Sequence, residues 1–86
     1  MEEEVGKITH YFSKISVGVV ELTKGELKVG DTIHIKGRTT DLYQKVESME
    51  VEHKAVSSAK KGDSFGMKVP EHVRENDIVF KVTEDK

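Results

Sequence analysis

Four cations stand where a strand ends or a turn begins: Lys14, Lys36, Arg38 and Lys45. Such residues seat anionic oxygens, lysine as a point charge and arginine through its planar fork. If a strand ending at Lys36 pairs with one starting near Leu42, across the Gly37–Asp41 loop, Lys36 and Lys45 lie side by side. Arg38 then sits at the tip, and Lys14 in an earlier turn. These four are the candidate binding residues. The plainer use of the same lysines is to keep a small β domain soluble and to discourage edge pairing.

Catalytic chemistry finds less to work with. His10, His34 and His53 are present, but no nucleophile elbow and no metal-ligand spacing accompanies them. Glu50-Val51-Glu52-His53 has metal-ligating types. Along an extended strand, however, Glu50 and Glu52 share one face and His53 points to the other, which describes a charged solvent face. His10 reads as half-buried strand surface, and His34 alternates outward as an exposed strand residue. Tyr11 and Tyr43 are candidates for stacking on bases, Tyr43 having the parity opposite to Leu42 and Val46 and so facing solvent. No catalytic residue, metal ligand or cofactor is expected. The chain also lacks the G-x-x-x-x-G-K-[ST] phosphate loop, so no nucleotide cofactor is expected either.

The elements that must position these residues fit one small domain. A chain of 86 residues buries roughly 60–65% of its unfolded surface, enough for one core. Charged residues make up 35% of the chain and apolar residues 35%, and the regular alternation argues for order despite that polarity. The net charge of −2 gives no basic field for non-specific nucleic-acid binding, so any RNA contact must rest on a local patch. Cysteine is absent, which removes disulfides and thiolate chemistry. No apolar run approaches the ~20 residues of a membrane span, and the acidic start has no apolar leader. A cytoplasmic protein without membrane contact is expected. The dominance of Lys and Glu, with few amides, fits a heat-adapted source.

Six strands are expected. Val17–Leu22 and Thr32–Lys36 form the central pair, the second with Ile33 and Ile35 inward. Val5–Phe12 precedes them through a short break at Ser13–Ser16, with Ile8 and Phe12 on one side. Leu42–His53 is long, and a bulge near Glu47-Ser48 would bring Leu42, Val46, Met49 and Val51 to one face. Ser64–Val69 turns Phe65, Met67 and Val69 inward, and Ile78–Val82 does the same with Ile78, Phe80 and Val82. Leu27 and Val29 pin one connector, Val56 and Ala59 another, and 71–75 is expected to make a helical turn. Residues 1–4 form a flexible acidic lead-in, 5–82 the domain and 83–86 a tail.

One turn recurs before three strands. Lys28-Val29-Gly30-Asp31, Lys60-Lys61-Gly62-Asp63 and Arg74-Glu75-Asn76-Asp77 each place Gly or Asn, then Asp. The first of these positions tolerates positive φ, and the Asp side chain caps the turn. All of this describes an all-β fold, and closure into a six-stranded antiparallel β-barrel would remove its edges.

Gly25-Glu26-Leu27-Lys28-Val29-Gly30-Asp31-Thr32-Ile33 and the run Ala59 through Gly66, followed by Asp77-Ile78-Val79, resemble the second domain of translation GTPases such as elongation factor Tu. The likeness spans roughly 5–82. It implies a small closed β-barrel of the translation-factor type, here a stand-alone elongation factor-like protein. The likeness carries the fold and not the ligand; joined to the cations read above, it makes the expected role a non-catalytic module that binds ribosomal RNA, tRNA or a ribosome-associated protein through Lys14, Lys36, Arg38 and Lys45. A similar barrel is appended to collagenase-like peptidase relatives that act in RNA modification. The alternative is therefore a protein–protein adaptor with a larger partner, or the detached accessory barrel of an RNA-modifying or peptidase-like enzyme. Ser13-Lys14-Ile15-Ser16 departs from the glycine-bearing turn usual in the factors.

Overall fold

Three aspartates set the strand entries, and each does so in the same way. In the computed structural model, which describes residues 1–83, the main-chain N–H groups of Lys28, Lys60 and Arg74 donate to Asp31, Asp63 and Asp77 Oδ2 at 3.0, 3.0 and 2.9 Å. The aspartate N–H returns a bond to the carbonyl three residues back in every case. Gly30, Gly62 and Asn76 supply positive φ values of 101°, 96° and 75°. The recurrence in the sequence is thus a repeated backbone solution.

The chain is all β among the described residues. It runs β1 (Glu2–Phe12), β2 (Val17–Leu22), β3 (Glu26–Lys28), β4 (Thr32–Lys36), β5 (Asp41–Lys45), β6 (Met49–Val51), β7 (Lys54–Val56), β8 (Ser58–Lys60), β9 (Ser64–Lys68) and β10 (Ile78–Val82). Eight strands make one antiparallel sheet in the order β5-β4-β10-β1-β2-β9-β6-β7, and β3 pairs with β8 in a second. The expected six-stranded closed barrel is therefore corrected in both number and closure. The sheet is open, with β5 and β7 at its ends. The three residues Val46–Ser48 nevertheless carry the chain from β5 to β6, near the far end of the order, so the sheet must curl. Across the gap the Gln44 side chain donates from Nε2 to the Lys68 carbonyl at 3.0 Å.

The core lies inside this curl. Val5, Ile8, Val20, Leu22, Leu27, Ile33, Ile35, Phe65, Val73 and Val79 are all at most 1% exposed. Phe65, Met67 and Val69 point inward as expected, as do Ile33 and Ile35. Leu27 is buried, whereas Val29 is exposed. Ala59 is buried and Val56 packs against the core, but from strands β8 and β7 rather than from a connector.

Several expected parities fail, and each failure has a local cause. The long strand from Leu42 is not bulged: it ends at Lys45, and Val46 and Met49 are buried from a break and a new strand. Glu52 and His53 take φ of 51° and 65° as the two-residue turn between β6 and β7, the paired left-handed geometry that hairpins favour. Glu50 and Val51 thus close β6 while Glu52 and His53 form the turn, so the run is not one extended strand. The bulges sit instead in β1, at Glu4/Gly6 and Ile8/His10. The second flips the alternation, so Ile8 is buried while Phe12, expected beside it, is 46% exposed. In β10 it is Val79 that is fully buried, while Ile78, Phe80 and Val82 lie half-buried on the opposite face. Residues 71–75 form no helix. Glu2–Glu4, expected as a lead-in, begin β1 and pair with Phe80–Val82. Of the expected tail, Thr83 is described and its N–H donates to the Met1 carbonyl at 2.8 Å; 84–86 lie outside the described residues.

Candidate functional site

The chemistry-bearing side chains that the fold does bring together are His34, Glu2, Asp41 and Tyr43. Strand β10 lies between β4 and β1, with His34 opposite Phe80 and Phe80 opposite Glu4. On the other side of β4, His34 faces Tyr43 and Lys36 faces Asp41. Residues directly opposite share a face, so these side chains gather on the outer surface of the sheet. There Tyr43 covers the imidazole in a stacked arrangement, with centroids 4.0 Å apart and planes 11° apart. Phe80 lies 6.1 Å away in a tilted geometry. His34 is consequently only 5% exposed, although its strand parity points outward.

Both ring nitrogens meet carboxylates. Nδ1 lies 2.7 Å from Glu2 Oε1 and Nε2 lies 2.5 Å from Asp41 Oδ1. The Tyr43 hydroxyl donates to Glu2 Oε2 at 2.8 Å. Burial of the ring opposes protonation, but the bonds to Glu2 and then Asp41 outweigh it and hold the His34 pKa above its ordinary value. The bond from His34, and after it the one from Tyr43, hold the Glu2 carboxyl below the usual range. The bond to Glu2 raises the Tyr43 pKa. An imidazolium gripped at both nitrogens has no free lone pair to act as a base or to ligate a metal. Among the described residues no group of three or more His, Asp and Glu is arranged to hold a metal ion.

The four candidate cations do not converge. Lys36 and Lys45 do lie on paired strands, but Lys36 stands opposite Asp41 and Lys45 opposite Thr32. They are four residues apart along the ladder, roughly 13 Å. Arg38 is exposed in the turn between β4 and β5, and Lys14 in the turn between β1 and β2. Lys45 instead shares a groove of about 270 Å³ with Gln44, Glu47, Lys68, Val69 and Pro70. His10 is exposed and lies 3.7 Å from Glu75, while Tyr11 packs on His72 at 4.4 Å. No helix among the described residues is long and apolar enough to cross a membrane.

No family model matches the chain. Over 82 residues it is 43% identical to an uncharacterized protease of Methanocaldococcus jannaschii, a match covering 94% of this chain and 20% of that protein. Over 78 residues it is 41% identical to a collagenase of Porphyromonas gingivalis, covering 90% of this chain and 22% of that one. The chain thus spans about a fifth of the length of these curated relatives. Among solved structures, the C-terminal domain of a candidate U32 peptidase from Geobacillus thermoleovorans superposes with a TM-score of 0.86 at 17% identity, over 94% of this chain and 93% of that one. Its selenomethionine variant gives 0.83 at 16%. The fold is shared with that domain.

These matches overturn the resemblance to the second domain of translation GTPases, and with it the elongation-factor assignment. The residues that carried that likeness are Gly-Asp turns leading into strands. Their pattern reports how a strand is entered, a requirement many β folds share.

Proposed function

We propose that the chain is a non-catalytic accessory domain of a U32-peptidase-like enzyme, with the remainder of such an enzyme as its partner. The observation that carries this reading is one of extent. A protease and a collagenase each contain a segment that matches nearly all of this chain and only a fifth of themselves. An isolated C-terminal domain has the same fold over nearly all of both chains. The chemistry of His34 supports a non-catalytic role, because its two nitrogens are committed to Glu2 and Asp41 and neither is left to activate a nucleophile.

The test pairs a cleavage assay with a binding assay. The purified chain, incubated with fluorescein-labelled gelatin or casein, is expected to release no fluorescence above buffer. Titrated calorimetrically into the Methanocaldococcus relative lacking its matching segment, it is expected to bind. Cleavage by the chain that disappears on His34→Ala would refute the non-catalytic reading. Absence of heat at micromolar concentrations of both proteins would refute the accessory one.

A further inference from the structure

The first residues of β1 are attached to the sheet in an unusual way. Glu2, Glu3 and Glu4 are all exposed, and the first buried side chain is that of Val5. A register shift between Glu4 and Gly6 separates this segment from the rest of the strand. Three successive carboxylates also repel one another. The segment is held by its ladder to β10 (Glu2 opposite Val82, Glu3 opposite Lys81, Glu4 opposite Phe80) and by main-chain bonds between Met1 and Thr83. Its side-chain anchor is Glu2, which reaches across β10 to His34 and Tyr43.

That anchor depends on a proton by simple counting. A neutral imidazole carries one N–H and an imidazolium two, whereas His34 faces a carboxylate at each nitrogen. The groups facing the ring are Glu2 from β1, Asp41 and Tyr43 from β5 and the uncharged Phe80 from β10. Lys36 follows two residues along β4, Glu4 lies beyond Phe80 in the same row, and the Met1 ammonium adjoins Glu2. Once the ring is neutral, either tautomer weakens the link to Glu2. With the proton on Nε2, Glu2 confronts a lone pair; with it on Nδ1, the bond keeps the carboxylate's charge but loses the attraction of the imidazolium. Asp41 faces the same loss, but β5 is secured by five paired positions on β4. The mechanical consequence falls on the segment that buries nothing.

We propose that Glu2–Glu4 form a proton-controlled flap on β10, docked while His34 is an imidazolium and loosened when it becomes neutral. Loosening frees the main-chain groups of β10 that the flap covers. Met1 and Thr83 bond mutually, so by antiparallel alternation the bonded pair next to them is Glu3 with Lys81.

The experiment is amide hydrogen exchange by NMR between pH 5.5 and 9, corrected for intrinsic rates, with the His34 ring titration followed in the same samples. The amides of Glu3, Lys81 and Thr83 are expected to lose about tenfold in protection as His34 titrates. Those of Val20 and Ile35 in the core should hold steady. Glu2→Gln, an exposed change, and His34→Gln should each flatten the dependence, which separates it from titration of the Met1 ammonium. Constant protection at Glu3, Lys81 and Thr83 while His34 titrates would mean that Asp41 alone swings away, and would overturn the proposal. So would a His34 titration at or below the ordinary histidine value, or an unchanged pH dependence in Glu2→Gln.

Discussion

Replacing the three turn aspartates one at a time should produce an order that the structure dictates. Asp77 is 4% exposed, and its carboxylate accepts the part-buried Arg74 N–H while packing against Gly37. Asp77→Ala removes a charge-assisted bond and strands its donor away from water, a loss of about 2–3 kcal/mol. At Asp63 the corresponding bond is exposed, so water replaces the acceptor and the loss is about 1 kcal/mol. Asp31 lies between them. Its bond to Lys28 is likewise exposed, but its carboxylate also meets Lys81 Nζ at 3.6 Å with side chains 13% and 27% exposed, adding at most about 1 kcal/mol. A domain of this length holds roughly 4–13 kcal/mol in total, so Asp77→Ala removes a large share. Urea denaturation followed by circular dichroism is the assay. With a slope near ~1 kcal/mol/M for so small a protein, the midpoint should fall by about 2–3 M for Asp77→Ala and about 1 M for Asp63→Ala, with the slope unchanged. Asp77→Asn, which keeps an acceptor oxygen, should recover part of the difference. Equal shifts for the three alanine variants would refute the argument that burial of the donor sets the loss.

Gly6→Ala should destabilise by about 2–3 kcal/mol in the same assay, because a Cβ there would run into the Glu21 main-chain carbonyl of the adjoining strand. Gly18→Ala should cost clearly less, since its Cβ would come tight only on the Val73 side chain, Cγ2 at 3.1 Å, with Val69 and Ile8 at ordinary contact distances of 3.6 and 3.8 Å. Phe65→Ala, at a site 1% exposed, should remove about 3–5 kcal/mol, read as a thermal midpoint lowered by 15 °C or more on the order-of-magnitude scale for small domains. Stability should depend on pH in two limbs. The His34 pKa is raised, so its contribution is complete below the ordinary value of 6.5 and is lost as pH rises through the folded value. The Glu2 pKa is lowered, so its contribution is complete above the ordinary value of 4.5 and is lost as pH falls through the folded value. Urea midpoints measured from pH 3 to 9 should therefore peak between these limbs, and His34→Gln should flatten the alkaline one.

What the sequence disclosed about the fold was whatever a few neighbouring residues decide. The three Asp turns are such a case, because donor, acceptor and the positive-φ residue all fall within four positions. The inward faces of β4 and β9 were legible too, since each runs without interruption and alternation alone assigns Ile33, Ile35, Phe65 and Met67. Parity fails where the backbone inserts or drops a residue. The register shift at Ile8/His10 sends Phe12 outward, and nothing in Ile8-Thr9-His10 announces it. Leu42 to His53 looked like one strand because its apolar residues continue. The break at Val46–Ser48 and the turn at Glu52-His53 are imposed by the need to reach the opposite end of a curled sheet.

The His34 cluster shows why a site is harder to read than a fold. Period-two alternation placed His34 on the outer face, and that placement is right. The error lay in equating the outer face with solvent. Exposure is settled by which strands flank β4, and β10, the last strand among the described residues, inserts between β4 and β1. Only that order brings Glu2 within 2.7 Å of a ring 32 residues away. The same logic disperses the four cations. Lys36 and Lys45 do occupy a hairpin, but antiparallel pairing sets residues equidistant from the turn against each other, and Lys36 therefore meets Asp41. A charge pattern read along the chain must be folded through the register before it becomes a surface. Here that operation separates the cations and assembles a histidine between two acids.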